Sequence, residues 1–291
     1  MGELPNHYQL RLHEAYGPVV RFQLPGADTA VWVADPVLLE ATAHLDTRPE
    51  ELFAFLDPLC EAGNLQVLPA DEHTPWRRLL LSVLAGRPAH ERHFSRFTTL
   101  ARDLADRWTG QPDDEPVELQ VELQKELTAL SLRMICGFAL GGAETDTDRV
   151  VVAFEEVLTE YLGRLYQVPR ADPRSAERAE AALAYLRATV DRVVAAHRSG
   201  GRTDRSDLIW ALVEAGHSPA RIRDTVMMTL LAAHHTTGVA VSWTLHLLGR
   251  HPGAAHRVAA ELDQVLGERD TPEYGDLRRL TYASGPPRGT K

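Results

Sequence analysis

The most chemically unusual stretch of this sequence is residues 232–237, Ala-Ala-His-His-Thr-Thr, which places two imidazoles and two hydroxyls in an otherwise apolar segment. Burying such a polar group without a hydrogen-bond partner costs about 1–3 kcal/mol. These residues therefore predict a cavity, water, a ligand or internal partners at this point. In the local interpretation, the threonines bond to carbonyls one turn earlier and the histidines find backbone acceptors. In the functional interpretation, the imidazoles face a ligand.

The histidine pair does not predict a metal site. Neighbouring residues on a helix point about 100° apart, so His234 and His235 cannot both face one ion. The sequence has two cysteines, Cys60 and Cys136, and neither belongs to a CxxC pair. This argues against zinc and against a disulfide framework, and it fits a reducing cytoplasm. We therefore expect a cytoplasmic protein without a bound metal.

The polar run lies at the centre of one very long predicted helix. Ser218 is a suitable cap, Pro219 suits the first helical position, and the helix should end at Arg250, before Pro252. A helix over about 219–250 would be roughly 46 Å long. Its middle is apolar on all sides, which predicts burial on all sides. The apolar residues are Val226, Met227, Met228, Leu230, Leu231, Val239, Val241 and Trp243.

The rest of the chain predicts a mainly α protein with a small β-sheet. Alternating apolar residues on both sides of a turn at 25–28 predict a β-hairpin, and Asp35 then caps a helix. Helical periodicity follows, with breaks at 110–112, 141–142, 168–173 and 199–201. We expect a single domain over 1–291, with the hairpin in 1–35, a helical body in 36–283 and a disordered tail in 284–291.

Composition excludes two classes of partner. The chain has 291 residues, 44% hydrophobic and 25% charged, as in globular proteins. Its net charge of −10 argues against nucleic-acid binding. Its most apolar stretch, 226–233, is too short to span a bilayer, and its start does not resemble a signal peptide. We therefore expect no nucleic acid and no membrane among its partners.

Residues 232–237 resemble the oxygen-activating segment of bacterial cytochrome P450s, Ala/Gly-Gly-x-Glu/Asp-Thr-Thr. The resemblance puts Ala233 at the glycine position, His235 at the acid and Thr236 at the threonine that assists dioxygen protonation. His73 and Arg77 resemble the family's HxxxR element, whose side chains contact haem propionates. The similarity runs in order through the chain up to Ala283. It implies a P450-like fold built around the long helix.

The similarity stops after Ala283, where the family continues into an ExxR helix and a cysteine loop that ligates haem iron. Neither Cys60 nor Cys136 lies in a sequence like that loop. We therefore expect a C-terminally truncated member that lacks thiolate ligation and, with it, conventional monooxygenation. The expected cofactor is none. If haem binds without the usual cysteine, His73 and Arg77 are the residues implied to hold it.

Three functions remain open for such a chain. The first is haem-independent acid/base catalysis in bacterial secondary metabolism, a cyclisation, isomerisation or elimination of a hydrophobic small molecule, with His235 and Thr236 as the catalytic residues. The expected substrate cavity consists of Ala232, Ala233, His234 and Thr237. The second is an auxiliary role that stabilises a biosynthetic enzyme such as a glycosyltransferase. The third is a partial or frameshifted product of a monooxygenase. A shortened core also predicts self-association or a covering partner.

Overall fold

The computed structural model describes residues 5–24, 27–45, 50–109, 122–140, 146–165, 172–199 and 207–285. The chain divides into two compact units, Met1–Pro69 and Ala70–Lys291. The single domain over 1–291 stays a prediction. The tail expected at 284–291 lies mostly outside the described residues, which end at Gly285.

The first unit contains the β-hairpin, and the prediction of this hairpin is confirmed. Strands β1 (Val19–Leu24) and β2 (Ala27–Val33) pair antiparallel, with Val19 opposite Val33. The Phe22 and Trp32 rings lie 4.1 Å apart between centroids, a cross-strand contact that holds the two strands together. Residues 25 and 26 of the predicted turn lie outside the described part of the chain.

Short helices precede and follow the hairpin along the chain in this unit. The predicted cap at Asp35 is confirmed. Its carboxylate accepts hydrogen bonds from the backbone N–H groups of Val37 and Leu38. The helices are α1 (Pro5–Tyr16), α2 (Pro36–Thr42) and α3 (Glu50–Phe53), with 3-10 turns at Ala54–Leu59 and Leu65–Val67.

The second unit is helical wherever it has regular structure among its described residues. Four of its helices end at or just before the predicted breaks. Its helices are α4 (Ala70–Leu84), α5 (Arg87–Thr109), α6 (Leu123–Ala139), α7 (Thr147–Leu165), α8 (Ser175–Arg198), α9 (Leu208–Glu214), α10 (Pro219–Arg250) and α11 (Pro252–Leu266), followed by a 3-10 turn at Tyr274–Arg278.

Helix α10 has the predicted bounds, because its caps are encoded locally. The Ser218 hydroxyl accepts the backbone N–H of Arg221 at 3.2 Å. Residues 222–230 are all buried, as expected. The prediction that the apolar middle of the helix is buried on all sides is wrong for Val241, which is 40% exposed, and for Trp243, which is 60% exposed. Among the described residues, no element covers this second half of the helix as α4, α8 and α9 cover the first.

Helix α6 packs closely along the middle of α10 and fixes the position of the polar run. A Cβ atom added to Gly238 would lie 2.5 Å from the Cα of Thr128, so only glycine allows this approach. One turn away, the Ser131 hydroxyl donates to the Ala233 carbonyl at 2.7 Å. These two contacts, on the same side of α10 as His234, hold α6 against the centre of the long helix.

Buried polar bonds fix the first half of α10 and the helices around it. The Trp76 indole N–H of α4 donates to the Thr225 hydroxyl of α10 at 3.2 Å. In the same region, the His197 ring bridges α8 and the cap of α9, since its Nε2 lies 2.8 Å from Asp207 and its Nδ1 lies 2.7 Å from the Val193 carbonyl. The first half of α10 is therefore held by polar bonds as well as by apolar packing.

Candidate functional site

His234 is a buried imidazole with no hydrogen-bond partner on either ring nitrogen among the described residues. Its side chain is 1% exposed and lies edge-to-face with Phe154 of α7, at 6.4 Å between ring centroids. Burial, with a smaller contribution from the neighbouring His235, lowers the pKa of His234 to about 4. The ring is therefore neutral at physiological pH. The local interpretation, in which the histidines find backbone acceptors, is wrong for His234.

A groove of about 510 Å³ opens beside this imidazole, between α6, α7 and α10. Its walls combine apolar and charged side chains, and we call it the His234 groove. Thr128 lies in its wall, 4% exposed, and no described residue bonds the buried Thr128 hydroxyl. The other lining residues are Glu122, Leu123, Gln124, Lys125, Glu155, Leu158, Thr159, Leu162, His234 and His235. The groove thus presents three polar atoms, the Thr128 hydroxyl and the two His234 ring nitrogens, that lack hydrogen-bond partners among the described residues.

His235 is the accessible imidazole of this groove. It is exposed, and its ring lies 5.2 Å from the His234 ring between centroids. A helix turns about 100° per residue, so the two rings enter the groove from different directions. A buried neutral imidazole and an exposed one therefore face the same space.

The remaining residues of the polar run lie elsewhere on α10. Thr236 is exposed, and its hydroxyl donates to the Ala232 carbonyl at 2.7 Å, which confirms the local interpretation for this threonine. The described lining of the groove includes His234 and His235 but not Ala232, Ala233, Thr236 or Thr237. The groove therefore brings together two of the six site residues predicted within 232–237. The catalytic role of Thr236 stays a prediction.

The two residues expected to contact haem lie on α4. His73 is half-buried and Arg77 is exposed, and their spacing of four residues puts them on one side of the helix. The His73 ring lies 5.8 Å from the ring of Trp76, which bonds to α10. Two donors at this spacing fit a carboxylate, so this pair is chemically compatible with haem propionates.

The cysteines fit the iron of a haem less well. Cys136 is buried in α6, and burial raises the pKa of its thiol to about 12, even though Arg96 opposes that shift. Cys136 is therefore a small buried residue of the helix packing. Cys60 belongs to the other compact unit, where it follows the 3-10 turn that ends at Leu59. The described residues therefore do not provide a thiolate ligand for haem iron.

Two further properties of the described residues bear on what the chain can hold. Within the described ranges, no three His, Cys, Asp or Glu side chains converge in a way that suits a metal ion. None of the described helices is both long enough and apolar enough to cross a bilayer. The His234 groove, with its buried polar atoms, is accordingly the candidate functional site of this unit.

The sequence analysis missed Thr128 and the walls contributed by α6 and α7. Two signals pointed to Thr128. Gly238 is a glycine inside a strong helix, which indicates close backbone approach, and Thr128 and Ser131 form a polar pair one turn apart in an apolar segment. The side chain that packs against His234, Phe154, carried no such signal because it lies on a different helix.

The fold and motifs match one family along nearly the whole chain. The family model for Cytochrome P450 matches residues 2–285. The chain belongs to the cytochrome P450 family. This confirms the predicted family and the P450-like, mainly α fold with a small sheet around the helix at 219–250.

Several P450 relatives come from Streptomyces. Cyclooctatin synthase from Streptomyces melanosporofaciens is 39% identical over 127 residues, which are 41% of this chain and 27% of that protein. Cyclooctat-9-en-7-ol 5-monooxygenase from the same species is 34% identical over 131 residues, 43% of this chain and 28% of that protein. Pentalenene oxygenase from Streptomyces avermitilis is 26% identical over 290 residues, 95% of this chain and 62% of that protein. The matches thus span between about a quarter and three fifths of these relatives.

Proposed function

We propose that this P450-family chain acts in bacterial secondary metabolism by binding a hydrophobic small molecule in the His234 groove and transferring a proton through His235. The observation that carries the proposal is the pair of imidazoles, one exposed and one buried and neutral, on a groove of about 510 Å³. The Streptomyces relatives, whose names describe oxidations of such molecules, support the class of substrate. The chemistry proposed is acid/base, because the groups that meet in the groove are imidazoles.

The groove provides the elements of a proton-transfer site. The exposed His235 can take a proton from a substrate carbon or give one to a double bond, as isomerisation, cyclisation and elimination require. The neutral His234 and the Thr128 hydroxyl can hold a substrate oxygen, because their polar atoms have no described protein partner. For Thr236 to donate to substrate or water, its hydroxyl must first release the Ala232 carbonyl, whereas it can accept a hydrogen bond as it stands.

The proposal is tested by replacing the exposed imidazole of the groove, His235. A strain deleted for this gene accumulates the substrate, and the purified protein is assayed on that extract. His235→Ala should lower turnover by about 10²–10⁴-fold, the usual contribution of a general acid or base. His256→Ala, which removes an exposed imidazole from α11, is the matched control and should retain full activity. Full activity of His235→Ala with an unchanged circular dichroism spectrum would contradict the proposal.

The role of haem is tested by absorbance. We expect purified protein, with or without added haemin, to show no thiolate-type carbon monoxide difference spectrum, since Cys136 is buried with its thiol strongly protonated. A Soret band together with a thiolate-type difference spectrum would overturn the haem-independent proposal. That result would favour the alternative of a partial monooxygenase instead.

A second candidate function is an auxiliary role for a biosynthetic enzyme such as a glycosyltransferase. The observation that favours it is the apolar pair Val241 and Leu245, which lie four residues apart on one face of α10 and are 40% and 39% exposed. Contiguous exposed apolar groups mark interaction surfaces. Leu245→Glu should abolish co-purification with the product of a neighbouring biosynthetic gene and the increase in that partner's activity. A monomer that does not affect its neighbours would count against this role.

A further inference from the structure

The His234 groove continues along α10 beyond His235. Val239, Ser242 and His246 follow His235 at intervals of four, seven and eleven residues, which places all four on one face of the helix. A second cavity, of about 260 Å³, lies along this face and is lined by Val239, Ser242, Trp243 and His246 together with Leu123 and Gln124 of α6. Leu123 and Gln124 also line the His234 groove. The two cavities therefore meet at the first turn of α6.

The combined space is elongated. His235 and His246 lie eleven residues apart on a continuous helix, which corresponds to about 17 Å along its axis. A compact ligand would fill one compartment only. A ligand that fills both must extend along α10 and pass the Leu123 and Gln124 side chains.

The two ends of this space differ in chemistry. At the inner end, Thr128 and His234 are buried, and no described residue bonds the Thr128 hydroxyl or either His234 ring nitrogen. At the outer end, the Trp243 indole is 60% exposed and lies edge-on to the His246 ring at 5.6 Å between centroids. Val239 completes an apolar wall there. The inner end suits a polar group and the outer end suits hydrocarbon.

The polar group that best fits the inner end is an uncharged hydroxyl. A neutral imidazole offers one donor and one acceptor, and the Thr128 hydroxyl offers both, so the ligand atom must also donate and accept. A carboxylate cannot donate, and it would meet the Glu122 and Glu155 side chains in the same walls. An ammonium group cannot accept a hydrogen bond from the imidazole N–H or from the Thr128 hydroxyl. A hydroxyl can bond the Thr128 hydroxyl and one His234 ring nitrogen without bringing a charge into the groove.

We propose that the two cavities form one site for an elongated, uncharged, hydrophobic alcohol, with its hydroxyl between His234 and Thr128 and its hydrocarbon chain lying across Leu123 towards Trp243. The inference rests on the groove of the proposed function and names its ligand class. It does not depend on proton transfer by His235. The hydrocarbon chain covers the exposed indole of Trp243, while the hydroxyl bonds the buried polar atoms.

The site is tested with straight-chain primary alcohols from 1-hexanol to 1-dodecanol, titrated by calorimetry. Each added methylene should lower the Kd by up to about fourfold, the factor expected when one methylene group leaves water. Decanoate and decylamine, which match 1-decanol in length, should bind at least about tenfold more weakly. A Kd that does not depend on chain length, or a preference for either charged probe, would overturn the proposal.

Two variants locate the ends of the ligand. Trp243→Ala should remove the gain in affinity between 1-octanol and 1-dodecanol and leave 1-hexanol unchanged. Leu81→Ala, at a half-exposed apolar position of α4 that lines neither cavity, should change neither. Thr128→Val should fold normally, because the hydroxyl it removes has no described partner, and should weaken all the alcohols by about fivefold to tenfold. Unchanged binding in both Trp243→Ala and Thr128→Val would contradict the assignment.

This inference and the proposed function can fail separately. Alcohol binding with the expected variant effects, together with full turnover by His235→Ala, would leave the site in place and remove the acid/base role. Loss of turnover in His235→Ala without any length-dependent binding of alcohols would overturn the elongated site and leave the acid/base role.

Discussion

The two halves of α10 have similar apolar sequences and very different surroundings. In the first half, residues 222–230 are buried among α4, α8 and α9, with bonds such as that from Trp76 to Thr225. In the second half, beyond Gly238, Trp243 is 60% exposed. The groove lies where the two halves meet. Burial of a helix is therefore decided by the elements packed on it, and the polar residues lie at the boundary between covered and uncovered surface.

The largest expected difference between the halves is in how much the free energy of unfolding falls when an apolar side chain is shortened to alanine. Ile222→Ala should lower the free energy of unfolding by about 2–5 kcal/mol, because Ile222 is fully buried and its loss leaves a cavity. Leu247→Ala, at a half-exposed position on the same helix, should change it by about 0.5 kcal/mol or less. Urea denaturation measures both. Equal losses of unfolding free energy in the two variants would mean that Leu247 is buried in solution.

The buried imidazole at the boundary predicts a pH dependence of stability. The pKa of His234 is about 4 in the folded protein, against an ordinary value of 6.5 for an unfolded chain. Between these values the unfolded state binds a proton that the folded state does not. Stability is therefore complete above about pH 6.5 and falls by an amount on the order of 3 kcal/mol as the pH drops towards 4.

A matched variant isolates this effect. His234→Gln removes the titrating group and should flatten the fall in stability over that pH range. His217, whose pKa burial also lowers, remains in both proteins, so the difference between them reports His234 alone. Parallel pH profiles for the two proteins would contradict the burial of a neutral imidazole at this position.

Two glycines on α10 test the close contact with α6. Gly238→Ala should destabilise the protein by about 1–3 kcal/mol, because the new Cβ would meet the Thr128 backbone at 2.5 Å. Gly249→Ala, in the uncovered half, meets no atom within 4 Å and should stabilise the helix by about 0.5–1 kcal/mol. Opposite changes in melting temperature are expected. A stabilising Gly238→Ala would exclude the close approach of α6.

Local features were predictable from the sequence. Ser218 and Asp35 cap their helices with hydrogen bonds that span two or three residues, so the bounds of α10 and α2 follow from the sequence alone. The hydrogen bond from Thr236 to the Ala232 carbonyl is equally local, and it agrees with the local interpretation of the threonines. Hairpin pairing between β1 and β2 also depends on near neighbours.

Features that depend on distant neighbours were not predictable. The apolar sequence around Trp243 is no different in kind from that around Met227, and only the packing of other helices buries one and exposes the other. His234 is buried because α6 and α7 pack over it, and their residues Thr128 and Phe154 lie far from it in the sequence. The sequence therefore predicted an unusual polar site, but it did not predict which of its residues share a groove.

The measurement that tests the account most directly is a nuclear magnetic resonance titration of the histidine ring resonances, with and without 1-decanol. The central claim is that His234 is a buried, neutral imidazole open to a ligand hydroxyl. We expect His234 to stay neutral until the pH approaches about 4, and its ring resonances to shift when 1-decanol binds. Protonation of His234 near the ordinary value of 6.5, or resonances unchanged by saturating alcohol, would contradict the claim.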